Sequence, residues 1–342
     1  MKKIAVEEHF ITRESLDMIR QVMTGEYADK KVVELEKYLD IEHGWDPVSR
    51  LAPFKVDWVV DLLADLGEAR VQAMDNAKLD VQVLSHISPG AQVLNAADGT
   101  HMASKCNDLL AGAISKYPDR FAGLASLAPQ DPNGAAKELE RAVKKLKLKG
   151  AVINSHTRGE YLDEKKYWVI LEAAESLGVP IYLHPRSPSS DVIKPYAIYP
   201  VLASAMLGFC HDVSLHVMRM MIAGVFDRFP KLVIVLGHMG ETLPHLQWRM
   251  DNHWIRLPFS KNLKKIPSQY LKDNFYVTTS GMFSHIALLN GILSSGADNI
   301  LFAIDYPLED MKGGTEFIET APICTADKEK ICHLNAERVF KL

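Results

Sequence analysis

The sequence predicts an α/β fold, a (β/α)8 barrel of the TIM type, distorted by long insertions after strands 1 and 5. Eight short apolar segments have the composition of strands, and most are uninterrupted, as expected for parallel strands that are covered on both faces. Helical patterns separate most of these segments, and strand–helix alternation repeated eight times favours a barrel. An open doubly wound sheet is the alternative, but no Gly-x-Gly-x-x-Gly turn follows the first segment.

The eight predicted strands span residues 4–10, 81–87, 121–128, 151–156, 180–186, 232–238, 275–280 and 300–305. Capping residues mark two of the helices between them. Asp131-Pro132 joins an N-cap to a proline suited to the first helical position, and Gly178 ends an apolar helical pattern. Because no linker or internal repeat interrupts the alternation, we expect a single domain over residues 1–342.

Two connections are longer than a minimal barrel needs. Residues 11–80 follow the first strand and include a polar, aromatic stretch at 42–47. Residues 187–231 follow the fifth strand and include Pro188, Pro195 and Pro200. Insertions after barrel strands fall on the active-site face, so both are predicted to form lids or subunit contacts. The alternative is a pair of solvated connections with local packing.

The composition is that of an ordinary globular protein, with 342 residues, 47% of them hydrophobic, and a net charge of −4. This balance gives no basic surface for nucleic acid, and no window of about 20 residues is both uncharged and apolar enough to span a bilayer. Four cysteines are scattered without paired spacing, which indicates reduced thiols rather than a disulfide framework. We therefore expect a cytoplasmic protein that binds neither nucleic acid nor membrane.

Ionisable residues lie at the ends of four predicted strands. Glu7 and His9 end the first, and His184, His238 and Asp305 end the fifth, sixth and eighth. A barrel brings the C-terminal ends of its strands to one mouth, so these side chains would converge. Two histidines with two carboxylates suit Zn²⁺ or Mn²⁺, whereas Ca²⁺ prefers oxygen ligands alone. The alternative for each residue is a hydrogen-bonded or turn-forming role, but independent turns would not place ligand types at several matching strand ends.

The spacing along the first strand predicts which way its side chains point. Glu7 and His9 are two residues apart and should share one face of the strand. Val6 and Glu8 should then face the helices on the other side.

His238 lies in the segment Gly-His-Met-Gly-Glu, and Glu241 follows it by three residues. One turn of a new helix would return that carboxylate to the imidazole, and a histidine beside a carboxylate is a tuned proton carrier. The alternative is that Glu241 caps a helix and His238 only lines the mouth.

Arg249 could bind a carboxylate or phenolate, or could form a surface ion pair instead.

Further residues near the strand ends are candidates for lining a substrate pocket. Phe10 follows the first predicted ligand pair, and Phe283 and His285 follow the seventh strand. We predict that these three contact the substrate. His86 and His156 also end strands and are predicted to line the mouth rather than bind metal.

At these residues the chain resembles the amidohydrolase superfamily, in the branch that includes aminocarboxymuconate-semialdehyde decarboxylase, and it is most similar to metal-dependent hydroxybenzoate decarboxylases. The resemblance covers nearly the whole chain. The segments that carry it are residues 4–10, 118–121, 183–186, 224–230, 237–241, 248–251, 278–281, 300–307 and 335–342. Many amidohydrolases begin with His-x-His, whereas this chain has Glu7-Glu8-His9, the form seen in aromatic acid decarboxylases.

The resemblance implies four ligands for one divalent metal ion, Glu7, His9, His184 and Asp305. It implies a proton-handling pair, His238 and Glu241, and an arginine near the substrate, Arg249. Asp305 would also be the acid that protonates the substrate ring.

The implied activity is non-oxidative, reversible decarboxylation of an ortho-hydroxybenzoate-type acid, 2,6- or 2,3-dihydroxybenzoate, with Zn²⁺ or Mn²⁺ in a homodimer or homotetramer. The chain departs from the family at Met282, where relatives carry a polar residue, and this leaves the substrate open. Three alternatives remain: a lactone or amide hydrolase, a hydratase of a ring-cleavage acid, and a protein in which the metal is purely structural.

Overall fold

Parallel strands alternate with helices along the part of the chain that this computed structural model describes, residues 1–24, 57–189, 191–196 and 198–342. Each of the eight predicted strand segments contains a strand, and the third contains two short ones. The strands are β1 (Ile4–Phe10), β2 (Val81–His86), β3 (Phe121–Gly123), β4 (Ala125–Ser126), β5 (Ala151–Asn154), β6 (Ile181–His184), β7 (Ile234–Leu236), β8 (Phe275–Thr278) and β9 (Ile300–Leu301).

Helices connect most of these strands. Within the described residues they are α1 (Arg13–Thr24), α2 (Asp57–Ala64), α3 (Glu68–Asn76), α4 (Ala96–Lys116), α5 (Pro132–Lys144), α6 (Trp168–Leu177), α7 (Gly208–Ile222), α8 (Val225–Arg228), α9 (Leu243–Trp254), α10 (Pro267–Asn274), α11 (His285–Ser295), α12 (Met311–Thr320), α13 (Thr325–Glu329) and α14 (Asn335–Phe340). The predicted caps are present. Asp131 accepts a hydrogen bond from the backbone N–H of Gly134 at 3.0 Å, and Gly178 ends α6 with φ of +62°.

The strands form two parallel sheets, in the orders β1-β2-β3 and β4-β5-β6-β7-β8-β9. Backbone hydrogen bonds join the sheets at both junctions. The N–H of Leu124 donates to the carbonyl of Leu84 at 2.8 Å, next to β3 and β4. At the other junction the N–H of Val6 donates to the carbonyl of Phe302 at 3.1 Å. The C-terminal ends of all strands therefore lie at the same edge, where the ionisable residues were predicted.

Apolar side chains pack on both faces of the strands. An inner cluster draws on strands of both sheets and includes Ile4, Val6, Val152 and Val235, and Phe340 of α14 packs against it. A larger cluster fills the space between the strands and the surrounding helices. Burial on both faces explains why the strands are uninterrupted apolar runs.

A β-bulge in β1 changes the side-chain phase that strict alternation predicts. Ala5 pairs with Gln82 and Glu8 pairs with Leu84, so two residues of β1 oppose the single residue between those partners. Val6 consequently packs in the inner cluster. The prediction that Val6 faces the helices with Glu8 is therefore wrong, because the bulge places Val6 and its neighbour Glu7 on the same side.

The two predicted insertions are described to different extents. Residues 25–56 of the first, including the stretch at 42–47, lie outside the described residues. The second contains two short 3₁₀ turns followed by α7 and α8. Within the described ranges one helical stretch, Val201–Ile222, is long and apolar enough by composition to cross a membrane. It nevertheless contains Asp212, which accepts a hydrogen bond from the Tyr161 hydroxyl at 2.8 Å, and Arg219, which pairs with Asp163 at 2.9 Å.

Candidate active site

The four predicted ligands lie together at the C-terminal edge of the sheet. Glu7 and His9 come from β1, His184 ends β6, and Asp305 follows β9. All four are buried, and one ligand atom from each lies within 4.8 Å of the others. His9 Nε2 is 2.8 Å from Asp305 Oδ1, and His184 Nε2 is 3.4 Å from Glu7 Oε1. The chain thus has a buried cluster of two carboxylates and two imidazoles that could hold a divalent metal ion.

Three hydroxyl groups orient the carboxylate of Glu7. Tyr182, Thr278 and Ser280 all donate to its Oε2 atom, Thr278 at 3.1 Å. Among the described residues, Oε1 has no hydrogen-bond partner although it is buried. These hydroxyls were not predicted from the sequence. Their signal was spacing by two, since Tyr182 lies two residues before His184 on one strand, and Thr278 and Ser280 are two apart.

His9 is oriented in a similar way. The Ser85 hydroxyl lies 3.2 Å from its Nδ1 atom, which leaves Nε2 directed towards Asp305. Within the described part of the chain, His9 Nε2 and Asp305 Oδ1 are buried and face each other at 2.8 Å, and neither makes a hydrogen bond with any other group. Buried polar atoms without partners are unfavourable, and a metal ion would satisfy them. Two nitrogens and two oxygens also fit the ligand preference of Zn²⁺ or Mn²⁺, so the residues present fit the ion.

Burial also sets the protonation of the cluster. It lowers the pKa of His184 well below its ordinary value, and the neighbouring His9 lowers it further. The imidazole is therefore neutral at pH 7, which is the form that binds metal. Burial raises the pKa of Glu7 above its ordinary value, although His238 opposes this. A bound cation would favour the ionised carboxylate and reverse that rise.

His238 contacts both Glu241 and the cluster. Its Nδ1 atom lies 3.0 Å from Glu241 Oε1, and its Nε2 atom lies 3.7 Å from Asp305 Oδ2. Burial lowers the pKa of His238, but the carboxylates of Glu241 and Glu7 outweigh burial and raise it well above its ordinary value. This imidazole therefore carries a proton at neutral pH in the absence of a metal ion.

The turn that brings these two side chains together differs from the predicted helical turn. His238, Met239 and Glu241 have φ values of +50°, +56° and +59°, and α9 begins only at Leu243. Such values are uncommon for residues with a side chain and cost roughly 1 kcal/mol each. The predicted contact is present, but a left-handed turn produces it. Strained backbone of this kind is typical of functional sites.

The three predicted pocket residues lie in packing contacts. The ring of Phe10 is buried and lies 5.6 Å from the ring of His86. Phe283 packs against Phe317 with ring centres 5.7 Å apart. His285 stacks on the same ring, and its Nε2 atom is 3.1 Å from the Phe317 carbonyl oxygen. Their predicted contact with substrate stays a prediction.

Arg249 lies on the exposed face of α9. It lines a shallow surface depression with Leu246, Met250 and His253. Leu246, Met250 and His253 are not members of the buried cluster of Glu7, His9, His184 and Asp305.

A second buried polar network lies at the end of β5. The Ser155 hydroxyl donates to Asp212, and His216 Nδ1 lies 3.3 Å from the same hydroxyl. The N–H of Leu162 donates to His216 Nε2 at 2.9 Å, so the imidazole proton is on Nδ1. The serine therefore gives its proton to the aspartate and receives one from the histidine. A Ser-His-Asp nucleophile requires the opposite direction, so this network is not such a triad.

A parallel α/β fold with carboxylates and imidazoles gathered at its strand ends is the arrangement of metal-dependent α/β enzymes. The family model described as amidohydrolase matches residues 49–342. The chain belongs to this amidohydrolase family, as the sequence predicted.

Similar proteins cover the chain from end to end. It is 37% identical to a γ-resorcylate decarboxylase of Polaromonas sp. (strain JS666), over 99% of this chain and 98% of that protein. The structure of 5-carboxyvanillate decarboxylase from Sphingomonas paucimobilis matches with a TM-score of 0.89 and 37% identity, over 100% of this chain and 99% of the other. A dihydroxybenzoic acid decarboxylase from Polaromonas sp. JS666, with bound manganese and the inhibitor 2-nitroresorcinol, matches with a TM-score of 0.84 and 36% identity, over 100% and 97%.

Proposed function

We propose that this chain is a metal-dependent carboxy-lyase that removes the carboxyl group of an ortho-hydroxybenzoate without oxidation, and that 2,6-dihydroxybenzoate is its substrate. The observation that carries this proposal is the buried cluster of Glu7, His9, His184 and Asp305, whose ligand atoms face one another beside a protonated His238. End-to-end similarity to a γ-resorcylate decarboxylase supports it. The reaction is proposed to be reversible, with carboxylation of the phenol as its reverse direction.

The four cluster residues would hold one divalent ion, and we propose Mn²⁺, as in the related structure that contains manganese. The chemistry that such an ion supplies is Lewis-acid stabilisation of a phenolate and a carboxylate. Zn²⁺ fits the same ligand types and is the alternative.

Asp305 is the proposed proton donor to the ring carbon that bears the carboxylate. Burial raises the pKa of Asp305, but its contacts with His238 and His9 outweigh burial and lower it. The resting residue is therefore ionised and would take up the phenol proton as the substrate binds. Transfer of this proton to the ring gives a non-aromatic intermediate. Cleavage of the C–C bond then returns an electron pair to the ring, releases CO₂ and leaves an aromatic phenolate, which takes up a proton from solvent as the product leaves.

His238 is proposed to exchange protons with Asp305, since Nε2 lies 3.7 Å from Oδ2. That separation is longer than a hydrogen bond, so a small movement of either side chain would be needed for transfer. Glu241 holds the opposite edge of the imidazole at 3.0 Å and stabilises its charged form.

The test of this function combines metal analysis with a substrate panel. We expect the manganese-loaded protein to convert 2,6-dihydroxybenzoate to resorcinol and CO₂, followed by ultraviolet absorbance and gas release. The panel adds 2,3- and 2,4-dihydroxybenzoate, salicylate and 5-carboxyvanillate, because Met282 leaves the preferred acid open. Turnover of a lactone, an amide or an unsaturated diacid without CO₂ release would contradict the proposal.

Replacement of Glu241 by glutamine should shift the pH dependence of turnover. The Glu241 carboxylate raises the pKa of His238, so its removal lowers that pKa. His238 would then lose its proton at a lower pH, and the alkaline limb of the kcat profile should move to lower pH. The measurement is kcat against pH for the manganese-loaded wild type and variant. An unchanged alkaline limb would show that His238 does not set it.

We further propose that the two sheets form one closed eight-stranded barrel, in which β3 and β4 count as one strand, and that residues 1–342 form one domain. The backbone hydrogen bonds at both sheet junctions support closure. Both insertions would lie at the mouth, and Phe10, Phe283 and His285 would border the substrate.

All four cysteines lie in the described ranges and are free, which supports a cytoplasmic location.

A homo-oligomer, dimer or tetramer, would place Arg249 near substrate. Helices α9 and α11 expose large apolar side chains, with Trp248 76%, Ile286 83% and Leu293 88% exposed. Apolar surface of this kind is typical of subunit interfaces. Because Arg249 lies on the exposed face of α9, we propose that it serves the site of a neighbouring subunit.

Mixing two inactive variants tests this arrangement. We expect Arg249→Ala and Asp305→Asn each to lose turnover. If Arg249 acts across the interface, a mixed dimer contains one site with both residues intact. Re-associated equimolar mixtures of a dimer should then recover about a quarter of wild-type activity. No recovery, in a mixture shown by mass to contain mixed oligomers, would mean that Arg249 does not act in a neighbouring site.

A further inference from the structure

Glu8 lies between two of the proposed ligands in sequence but faces the other side of β1. It is fully buried. Its Oε1 atom accepts a hydrogen bond from the backbone N–H of Ile304 at 3.0 Å, and its Oε2 atom accepts one from the N–H of Tyr306 at 3.3 Å. These two residues flank Asp305. The carboxylate of Glu8 therefore holds the backbone on both sides of the proposed proton donor.

The backbone of Asp305 needs such support, since its φ of +82° lies in a region that residues with a side chain disfavour. The penalty is of the order of 1 kcal/mol, and such a conformation persists only where surrounding contacts determine it. The N–H of Asp305 donates to the carbonyl of Glu7 at 2.9 Å. With Glu8 bound to the N–H groups on either side, three consecutive N–H groups are held by β1.

Gln82 and Arg70 extend the contacts of Glu8 to a second proposed ligand. Gln82, on β2, donates from its side-chain amide to Glu8 Oε2 at 3.2 Å and accepts from Arg70 Nε at 2.8 Å. Arg70, on α3, donates from Nη2 to the carbonyl oxygen of His9 at 2.6 Å. Its guanidinium also lies over the ring of Tyr306, 5.0 Å from the ring centre. The chain of contacts thus runs from the backbone of Asp305 to the backbone of His9.

The network joins a buried carboxyl group to a buried cation: burial raises the pKa of Glu8 well above its ordinary value, and the N–H of Ile304 and the charge of Arg70 oppose that rise. A buried carboxylate is strongly unfavourable unless charge and hydrogen bonds compensate it. Arg70 is 1% exposed and is linked to Glu8 through Gln82. Burial lowers the pKa of Arg70 to about 10, so it remains charged at neutral pH.

We propose that Glu8, with Gln82 and Arg70, is a positioning network that fixes Asp305 and His9 in the geometry that binds the metal ion. This inference rests on the proposed metal centre and deepens it, because it assigns a role to the middle residue of Glu7-Glu8-His9. Removal of a group that hydrogen-bonds to a metal ligand typically weakens metal binding about 10- to 100-fold. We expect an effect of about that order when Glu8 is replaced.

The test is Glu8→Gln. The glutamine amide has one acceptor oxygen, so the N–H of Ile304 or that of Tyr306 loses its partner while the side-chain volume is kept. We expect the Mn²⁺ dissociation constant, measured by chelator competition without substrate, to rise about 10-fold or more. The electron paramagnetic resonance spectrum of bound Mn²⁺ should also change, because it reports ligand geometry. Wild-type affinity and spectrum in the folded variant would overturn the proposal.

The matched control is Glu138→Gln. Glu138 is a buried carboxylate on α5 that accepts hydrogen bonds from Asn107 at 2.7 Å and from Arg141 at 2.8 Å. Its replacement should lower the melting temperature and leave Mn²⁺ affinity and spectrum unchanged. An equal loss of affinity in the control would assign the effect to general destabilisation and overturn the proposal.

If Glu8→Gln does not fold, Gln82→Met provides the test, since at similar volume it removes the side-chain hydrogen bonds that join Gln82 to Glu8 and to Arg70. Weaker Mn²⁺ binding with an altered spectrum supports the proposal, and unchanged binding overturns it. The metal measurements are independent of turnover. A wild type that binds Mn²⁺ without decarboxylating any acid would defeat the proposed function alone, and wild-type Mn²⁺ affinity in Glu8→Gln would defeat the positioning role alone.

Discussion

Replacement of Asp305 by asparagine should lower kcat for decarboxylation by about 10³-fold or more, because general acid catalysis typically contributes 10² to 10⁴. Asparagine keeps the size of the side chain and one ligand oxygen, but it cannot deliver a proton to the ring. Some manganese should therefore remain bound, held by Glu7, His9 and His184. The measurement is kcat together with manganese content after dialysis.

A neighbouring acid provides the control for this variant. Glu309 is exposed and lies four residues beyond Asp305, and its N–H donates to the Asp305 carbonyl at 3.0 Å. Glu309→Gln keeps the proposed donor in place and removes a nearby negative charge that interacts with Asp305 and His238, so turnover should fall far less than in Asp305→Asn. Substantial decarboxylation by Asp305→Asn would rule out Asp305 as the proton donor, whatever its part in metal binding.

Replacement of Glu7 by glutamine should abolish manganese binding and yet stabilise the metal-free protein. The glutamine carbonyl can accept from two of the three hydroxyls that now donate to Oε2, and the third keeps a neighbouring hydroxyl as its partner. This leaves the NH₂ group at the position of Oε1. An NH₂ group cannot bind a cation. At the same time the change removes a buried carboxylate that has one oxygen without a hydrogen-bond partner among the described residues. We expect the metal-free melting temperature at pH 7 to rise by roughly 2–4 °C.

The pH dependence of this gain follows from the pKa of Glu7. Burial raises that pKa in the metal-free fold above its unfolded value. A group of this kind favours folding below its unfolded pKa, and the contribution is lost as the pH rises through the folded pKa. The variant should therefore gain over the wild type between acidic and neutral pH, and the gain should vanish in acid.

Added manganese provides the second half of the measurement. It should raise the melting temperature of the wild type, since a ligand that binds only the folded state stabilises it. It should leave Glu7→Gln unchanged. Manganese binding by the variant with wild-type affinity would show that Glu7 is not a ligand, and a lower metal-free melting temperature would show that its carboxylate is compensated by groups other than the metal.

The positions of the strands could be predicted from the sequence because each strand is a short apolar run buried on both faces. The grouping of His184 and Asp305 with Glu7 and His9 followed from the common edge at which parallel strands end. The orientation of Val6 could not be predicted, since alternation assumes an unbroken pairing and the bulge depends on the register with β2. Such a register depends on pairing between residues that are far apart in the sequence.

Other parts of the site were beyond sequence reasoning because they depend on contacts between distant elements. The hydroxyls on Glu7 come from β6, from β8 and from Ser280 just beyond it. Spacing by two predicts a shared face for Thr278 and Ser280, but nothing in their local sequence identifies Glu7 as the partner. The left-handed turn at His238 could not be anticipated either, since residues with side chains rarely adopt it. Arg249 was placed near substrate by resemblance, whereas its own helix exposes it.

The bulge in β1 also sets the depth of the site. In a regular strand, successive side chains on one face are about 6.6 Å apart along the chain direction, so a core residue and a functional residue must be separated by that step. Here Val6 belongs to the inner apolar cluster, and the next residue, Glu7, already belongs to the polar cluster at the strand ends. A single extra residue in the strand therefore places the polar cluster directly against the apolar core. In protein design, such an inserted residue could change the depth of a metal centre without changing the neighbouring strands.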